Sequence, residues 1–192
     1  GRSALLANTT GTVNTAVGGS SLASNTTASN NVAVGYQALA NNTTGGSNCE
    51  VGRLALGSNQ TASNNTAMGH NALYLNTTGT QNTAMGSLAL DNVTTASNNT
   101  AFGYAALSTA GNGGGSGGNT AVGSQAGVDV TTGIFNVIMG SFAGFDLTTG
   151  SRNTFIGTSA GANVTTANEN VAIGDNCLVN VTTQTANVAI GH

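Results

Sequence analysis

Apolar and polar positions along this chain recur on a fixed beat. The recurring unit is Asn-Thr-Ala-Val-Gly and its variants, and its glycine falls at Gly1, Gly18, Gly35, Gly52, Gly69, Gly86, Gly103, Gly123, Gly140, Gly157, Gly174 and Gly191. Ten of the eleven intervals are 17 residues, and Gly103 to Gly123 is 20. Immediately before each later glycine stands an apolar residue: Val17, Val34, Val51, Met68, Met85, Phe102, Val122, Met139, Ile156, Ile173 and Ile190. Two before the glycine is Ala, replaced by Glu50, Ile138 and Phe155 in three copies, and three before it is Thr, Val or Cys. Four before it is always Asn: Asn14, Asn31, Asn48, Asn65, Asn82, Asn99, Asn119, Asn136, Asn153, Asn170 and Asn187. Beyond the glycine, Ala recurs three residues on, as at Ala38 and Ala72. Leu follows it (Leu22, Leu39, Leu56, Leu73, Leu90, Leu107), giving way to Gly127, Gly144 and Gly161. A Thr-Thr pair closes most copies, as at Thr43-Thr44 and Thr148-Thr149.

A beat of 17 is too short for two helices and lacks helical spacing of apolar residues. It suits one coil of a parallel β-solenoid, with β-favouring residues interrupted by small turn residues. The predicted fold is therefore all-β: a β-roll or β-helix of eleven stacked coils. Each residue would lie about 4.8 Å above its copy, in a rod roughly 53 Å long. Residues 1–192 form a single array, with the three-residue excess placed in the Gly111–Gly118 run (GNGGGSGG) as a flexible loop. In this scheme the Asn column passes amide hydrogen bonds from coil to coil. The glycines mark a corner where φ is positive or close packing excludes a side chain. The Val/Met/Ile and Leu columns fill a thin core. Alternation along a strand then turns the Ala/Ile/Phe column outward, as an apolar stripe that a second chain is expected to cover. The chain starts and stops inside the repeat without an atypical capping coil, and it has neither an initiating Met nor a signal-like stretch. It is therefore expected to be a processed form or a segment of a longer fibre, or to stack end to end.

The segments Asn187-Val188-Ala189-Ile190-Gly191, Asn31-Val32-Ala33-Val34-Gly35 and Asn170-Val171-Ala172-Ile173-Gly174 resemble the head repeats of trimeric autotransporter adhesins. Asn65 to Gly79 (NTAMGHNALYLNTTG) is similar to the repeats of bacterial and phage tail-fibre-like proteins. The resemblance covers essentially the whole chain. It implies a β-roll or β-helix, a homotrimer, and a stalk or adhesive surface outside the cell or on a virion, with surface glycans among its targets. The coil here is longer than in the shortest adhesin heads, and the chaperone-like domain that often ends such fibres is absent.

Composition narrows the reading further. Gly contributes 29 residues, Thr 30 and Asn 27, while only 5% are charged and Pro, Trp and Lys are absent. Gly, Thr and Asn are poor helix formers, which argues against a helical bundle. No apolar run nears the ~20 residues that span a bilayer, so no membrane insertion is expected. Three arginines and a net charge of −3 give no footprint for nucleic acid.

Catalytic, cofactor and metal sites are not expected. The six acids are scattered over different coils; Asp129 and Asp146, 17 apart, stack as an exposed turn rather than a calcium site. His70 and His192 lack a partner at metal-ligand spacing, and the glycine run lacks the Lys-Ser/Thr of a phosphate loop. Cys49 and Cys177 lie more than seven coils apart, roughly 35 Å, far beyond disulfide reach, and read as buried free thiols. Among the N-x-Thr sequons, Asn8, Asn25, Asn42, Asn59 and Asn76 share one coil position and Asn92, Asn163 and Asn180 fall one residue earlier. Where exposed, these would carry a ladder of glycans. Two function classes follow. The first is a non-catalytic extracellular structural or adhesive fibre. The alternative is an ice-binding solenoid presenting Thr ladders, which adjacent Thr pairs pointing opposite ways serve less well than Thr-x-Thr.

Overall fold

A computed structural model describes residues 1–111 and 117–192. Eleven strands of three residues each form one parallel sheet in strict chain order. They are β1 (Thr15–Val17), β2 (Val32–Val34), β3 (Cys49–Val51), β4 (Thr66–Met68), β5 (Thr83–Met85), β6 (Thr100–Phe102), β7 (Thr120–Val122), β8 (Val137–Met139), β9 (Thr154–Ile156), β10 (Val171–Ile173) and β11 (Val188–Ile190). Every strand residue pairs with its own copy one coil on, as in Thr15↔Val32, Ala16↔Ala33 and Val17↔Val34. The register survives the 20-residue interval, where Thr100 pairs with Thr120. This is a β-solenoid with one short strand per coil. The expectation of a flexible loop over Gly111–Gly118 falls, for residues 112–116, outside the described residues.

The strands are short because left-handed backbone brackets them. Just before the Asn column, residues such as Asn30, Ser47 and Asn64 have φ of 58–63°, and the glycine that follows each strand has φ of 129–148°. The Leu column is left-handed too, with φ of 48–55° from Leu5 to Leu178. Each such Leu costs about 1 kcal/mol or more, a strain that persists only where the surrounding structure over-determines it. Here lengthwise pairing does so beyond the strands. Leu39 donates its N–H to the Ala55 carbonyl at 3.0 Å and Leu56 to the Ala72 carbonyl at 2.9 Å.

Which side of the strand faces inward is the reverse of the sequence expectation. Ala33, Ala67, Ala101, Ile138, Phe155 and Ala172, two residues before the glycines, are buried in the core with the Leu column. The residues one before the glycines point outward; Val51, Met68, Phe102 and Met139 are exposed. The reason is volume. A coil closed by so few residues brings its walls close together, so the inward position takes Ala while larger side chains are turned out.

Ile138 and Phe155 are therefore core residues and not an outward stripe, and the Leu column makes room for them. A Cβ at Gly127 would lie 2.8 Å from Cδ1 of Ile138, and one at Gly161 would lie 2.8 Å from the Phe155 ring. Where the strand side chain grows, the opposing one shrinks, as close packing requires.

The glycine after each strand is fixed twice over. At Gly69, φ is 139° and an added Cβ would sit 2.5 Å from the Gly86 carbonyl oxygen. Gly69→Ala is expected to lower stability by more than about 2 kcal/mol. Gly19, where an added Cβ meets only the Tyr36 ring at 3.4 Å, should tolerate alanine almost without loss. Urea midpoints of the two variants check this.

Candidate functional surface

The Asn column forms a continuous spine. Asn48 donates its backbone N–H to Oδ1 of Asn31 at 2.9 Å and its Nδ2 to the Ala62 carbonyl at 3.0 Å. Asn65 repeats this with Asn48 and Gly79, each at 3.0 Å. The amide thus replaces backbone pairing where the chain turns into the strand, and its main partners are backbone groups rather than other amides. Direct amide-to-amide bonds run along the later coils, as from Asn136 to Asn119 at 3.0 Å and Asn187 to Asn170 at 2.9 Å.

The shared sequon position supplies a second spine. Asn25, Asn42, Asn59 and Asn76 are fully buried. Nδ2 of Asn42 donates to Oδ1 of Asn25 at 3.1 Å and to the Gly45 carbonyl at 2.8 Å; Asn59 does the same with Asn42 and Ala62. A glycan has no room at these four, which corrects the expectation of a glycan ladder there. Asn8, in the first coil, is half-buried with Nδ2 on the Gly11 carbonyl. Asn92 is half-buried and donates to Asp91 and Ser108, while Asn163 and Asn180 are exposed. After Asn76 the column turns apolar, with Val93, Ala110, Val130, Leu147 and Val164 buried in it. Oδ1 of Asn76, where the column switches, is left without a partner.

The threonine pairs divide their work. The first of most pairs is tied to the stack: Thr26 and Thr148 hydroxyls donate to the Thr43 and Thr165 carbonyls, both at 3.1 Å. The second, as at Thr27, Thr44, Thr78 and Thr149, is exposed. Within the Thr-Thr pairs the exposed hydroxyls thus form a single column.

Charged groups stay dispersed. Among the described residues no three or more His, Cys, Asp or Glu cluster as metal ligands, and no pocket opens on the surface. Asp129 and Asp146 do face each other; partial burial, then the charge of Asp146, push the Asp129 carboxyl above its ordinary value. His70 lies 3.0 Å from Nη1 of Arg53, and His192 lies 3.5 Å from Asp175. Both cysteines are free thiols; Cys177 is buried, but Cys49 is only half-buried on the outward sheet face, which corrects its expected place in the core.

Alternation along each strand assembles the outward face that sequence reasoning assigned to the wrong column. It carries the Val/Met/Phe/Ile column flanked by β-branched residues such as Val32, Thr66, Thr100 and Val137. Coil eight makes it most apolar, presenting Phe135 (58% exposed), Val137 and Met139 side by side. Over eleven strands this face is about 48 Å tall, and the column beside it, five before the glycines, is mostly polar, with Asn30, Ser47, Asn64, Gln81, Asn98, Arg152 and Glu169 in it. The apolar part of the face is a narrow strip, one strand wide, that runs the height of the stack.

No protein-family model, curated protein or solved structure matches the chain. No helix among the described residues is long and apolar enough to cross a membrane.

The Phe155–Gly161 pair gives a direct test of the core geometry. Phe155→Ala should cost about 3–5 kcal/mol by opening a cavity, and Gly161→Leu should destabilise by overpacking. The double variant, which recreates the Ala–Leu pairing of early coils, should be more stable than either single change. A double-mutant cycle in urea measures the coupling.

Proposed function

We propose that this chain is a stretch of a non-catalytic extracellular fibre, a stalk or filament of the adhesin-head or tail-fibre kind, whose copies associate side by side. The observation that carries the reading is the outward sheet face, which sets an apolar column along the whole stack. Soluble monomers seldom leave such a surface bare. Everything else suits a load-bearing element: lengthwise backbone pairing, two amide spines and a core without a break in register. The resemblance of the Asn-Thr-Ala-x-Gly repeats to adhesin heads and tail fibres supports three copies per rod, placed at a cell or virion surface where glycans are the target.

Ice binding is the second reading, drawn from the exposed threonine column. A single file of free hydroxyls presents a line rather than the plane an ice face requires, so a thermal hysteresis assay should register no activity.

Sedimentation velocity tests the fibre reading. The wild-type chain should sediment as an oligomer, and electron microscopy should show discrete rods or longer filaments. Met68→Asp combined with Met139→Asp, both on the outward face, should shift it to a monomer with an unchanged circular dichroism spectrum. A wild-type chain that stays monomeric at high concentration would contradict side-by-side association.

A further inference from the structure

One coil breaks the rule of the inner column. In β3 the position held elsewhere by Ala, Ile or Phe is Glu50, which is fully buried and finds no hydrogen-bond partner for Oε1 or Oε2. Its column neighbours are Ala33 and Ala67. By the repeat that sets Phe155 against the positions of Gly144 and Gly161, Leu39 and Leu56 face it across the core. None of these four can ionise or donate a hydrogen bond from its side chain. Among the described residues, the one other titratable side chain buried in the core is that of Cys177, many coils away. Cys49, the neighbour whose thiol the Glu50 charge influences, lies on the opposite face of the strand.

We propose that Glu50 is a proton-operated weak point of the rod: with its carboxyl neutral the third coil stays stacked between β2 and β4, and loss of that proton opens the stack at this coil while the flanking coils stay paired. An ionised carboxylate in this setting is shut off from bulk solvent and has no partner, so the closed coil cannot keep the charge cheaply. The opening is local because each coil of a solenoid contacts only its neighbours. Burial holds the Glu50 carboxyl well above the ordinary range. The closed state therefore binds more protons than the open one. Its stability is complete at and below the ordinary glutamate range and falls as pH climbs towards the raised value. This device is independent of whether copies of the chain associate.

The sequence supplies its own probe. With no Lys in the chain, trypsin can cut only after Arg2, Arg53 and Arg152. Arg53 lies three residues beyond Glu50, and Arg152 reports on a distant coil. In a series from pH 7 to pH 9 the full chain is digested and the two cleavage rates are compared, with the Glu50 variants keeping the same His70 beside Arg53. Their ratio cancels the pH dependence of the protease. The ratio of cutting after Arg53 to cutting after Arg152 should rise several-fold across the series in the wild type, and by no more than tenfold per pH unit for one proton. It should be flat in Glu50→Ala, which restores the column's usual residue, and in Glu50→Gln, which keeps the shape without the charge. A flat wild-type ratio, an absence of cutting after Arg53 at every pH, or the same rise in either variant would overturn the proposal.

Discussion

Close approach of backbone to backbone between consecutive coils is the constraint on which the rest of this molecule depends. At the end of each strand from β1 to β10 the glycine brings its coil so near the next that no side chain fits between, and its φ lies where L-residues are strained. That approach fixes a register of one coil per repeat, and the register fixes the columns. Once every residue lies over its copy, an amide, a methyl group or a hydroxyl need find its partner only once, and the arrangement is reused along the stack. The left-handed leucines show how strongly the stack dictates local geometry. Eight in the Leu column, from Leu5 to Leu178, and Leu54 and Leu88 beside it hold a conformation that an isolated chain would avoid.

A coil pinned this tightly leaves a core with little freedom of volume. The molecule responds by exchange between facing columns: Leu with Ala in the early coils, Gly with Ile138 or Phe155 in the later ones. The glycines at 127, 144 and 161 gain twice, since they vacate space and also remove the strain of a left-handed side chain. The second amide spine shows a different exchange. From Asn8 to Asn76 it links coils by hydrogen bonds, and from Val93 onward it links them by apolar contact. Either solution works provided a run of coils adopts it together; the unpaired Oδ1 of Asn76 marks the place where one run meets the other.

The period, the parallel stacking and the chemistry of each column could be read directly from the sequence, because a fixed interval of 17 leaves few architectures open. The facing of the strand could not be read in the same way. Its two adjacent columns, Ala/Ile/Phe and Val/Met/Ile, are both apolar, and the reflex that larger hydrophobic residues go inside gives the wrong answer when the core is one small side chain wide. A usable signal was nevertheless present: Ala gives way to Ile138 and Phe155 in the very coils where Leu gives way to Gly144 and Gly161. Residues that trade volume share a cavity, which places the Ala column inside. The sequons misled for a related reason. An Asn-x-Thr triplet looks alike whether its amide bonds to the coil above or to solvent, and only the stacked geometry tells Asn42 from Asn163.

Repetition also changes what a single exception means. In an ordinary core one buried glutamate would be diluted among many unlike neighbours and absorbed by a nearby donor or water. In a column whose other members are Ala, Ile and Phe, no such donor exists at any coil, so Glu50 confronts the same apolar walls that serve its neighbours well. The outward face obeys the converse logic. There no single Val or Met exceeds what a surface tolerates, yet eleven in register make a continuous strip, and its character comes from the sum. A stacked fold thus turns small repeated preferences into an extended surface and one local departure into a localised fault, and it does both through the same lengthwise register.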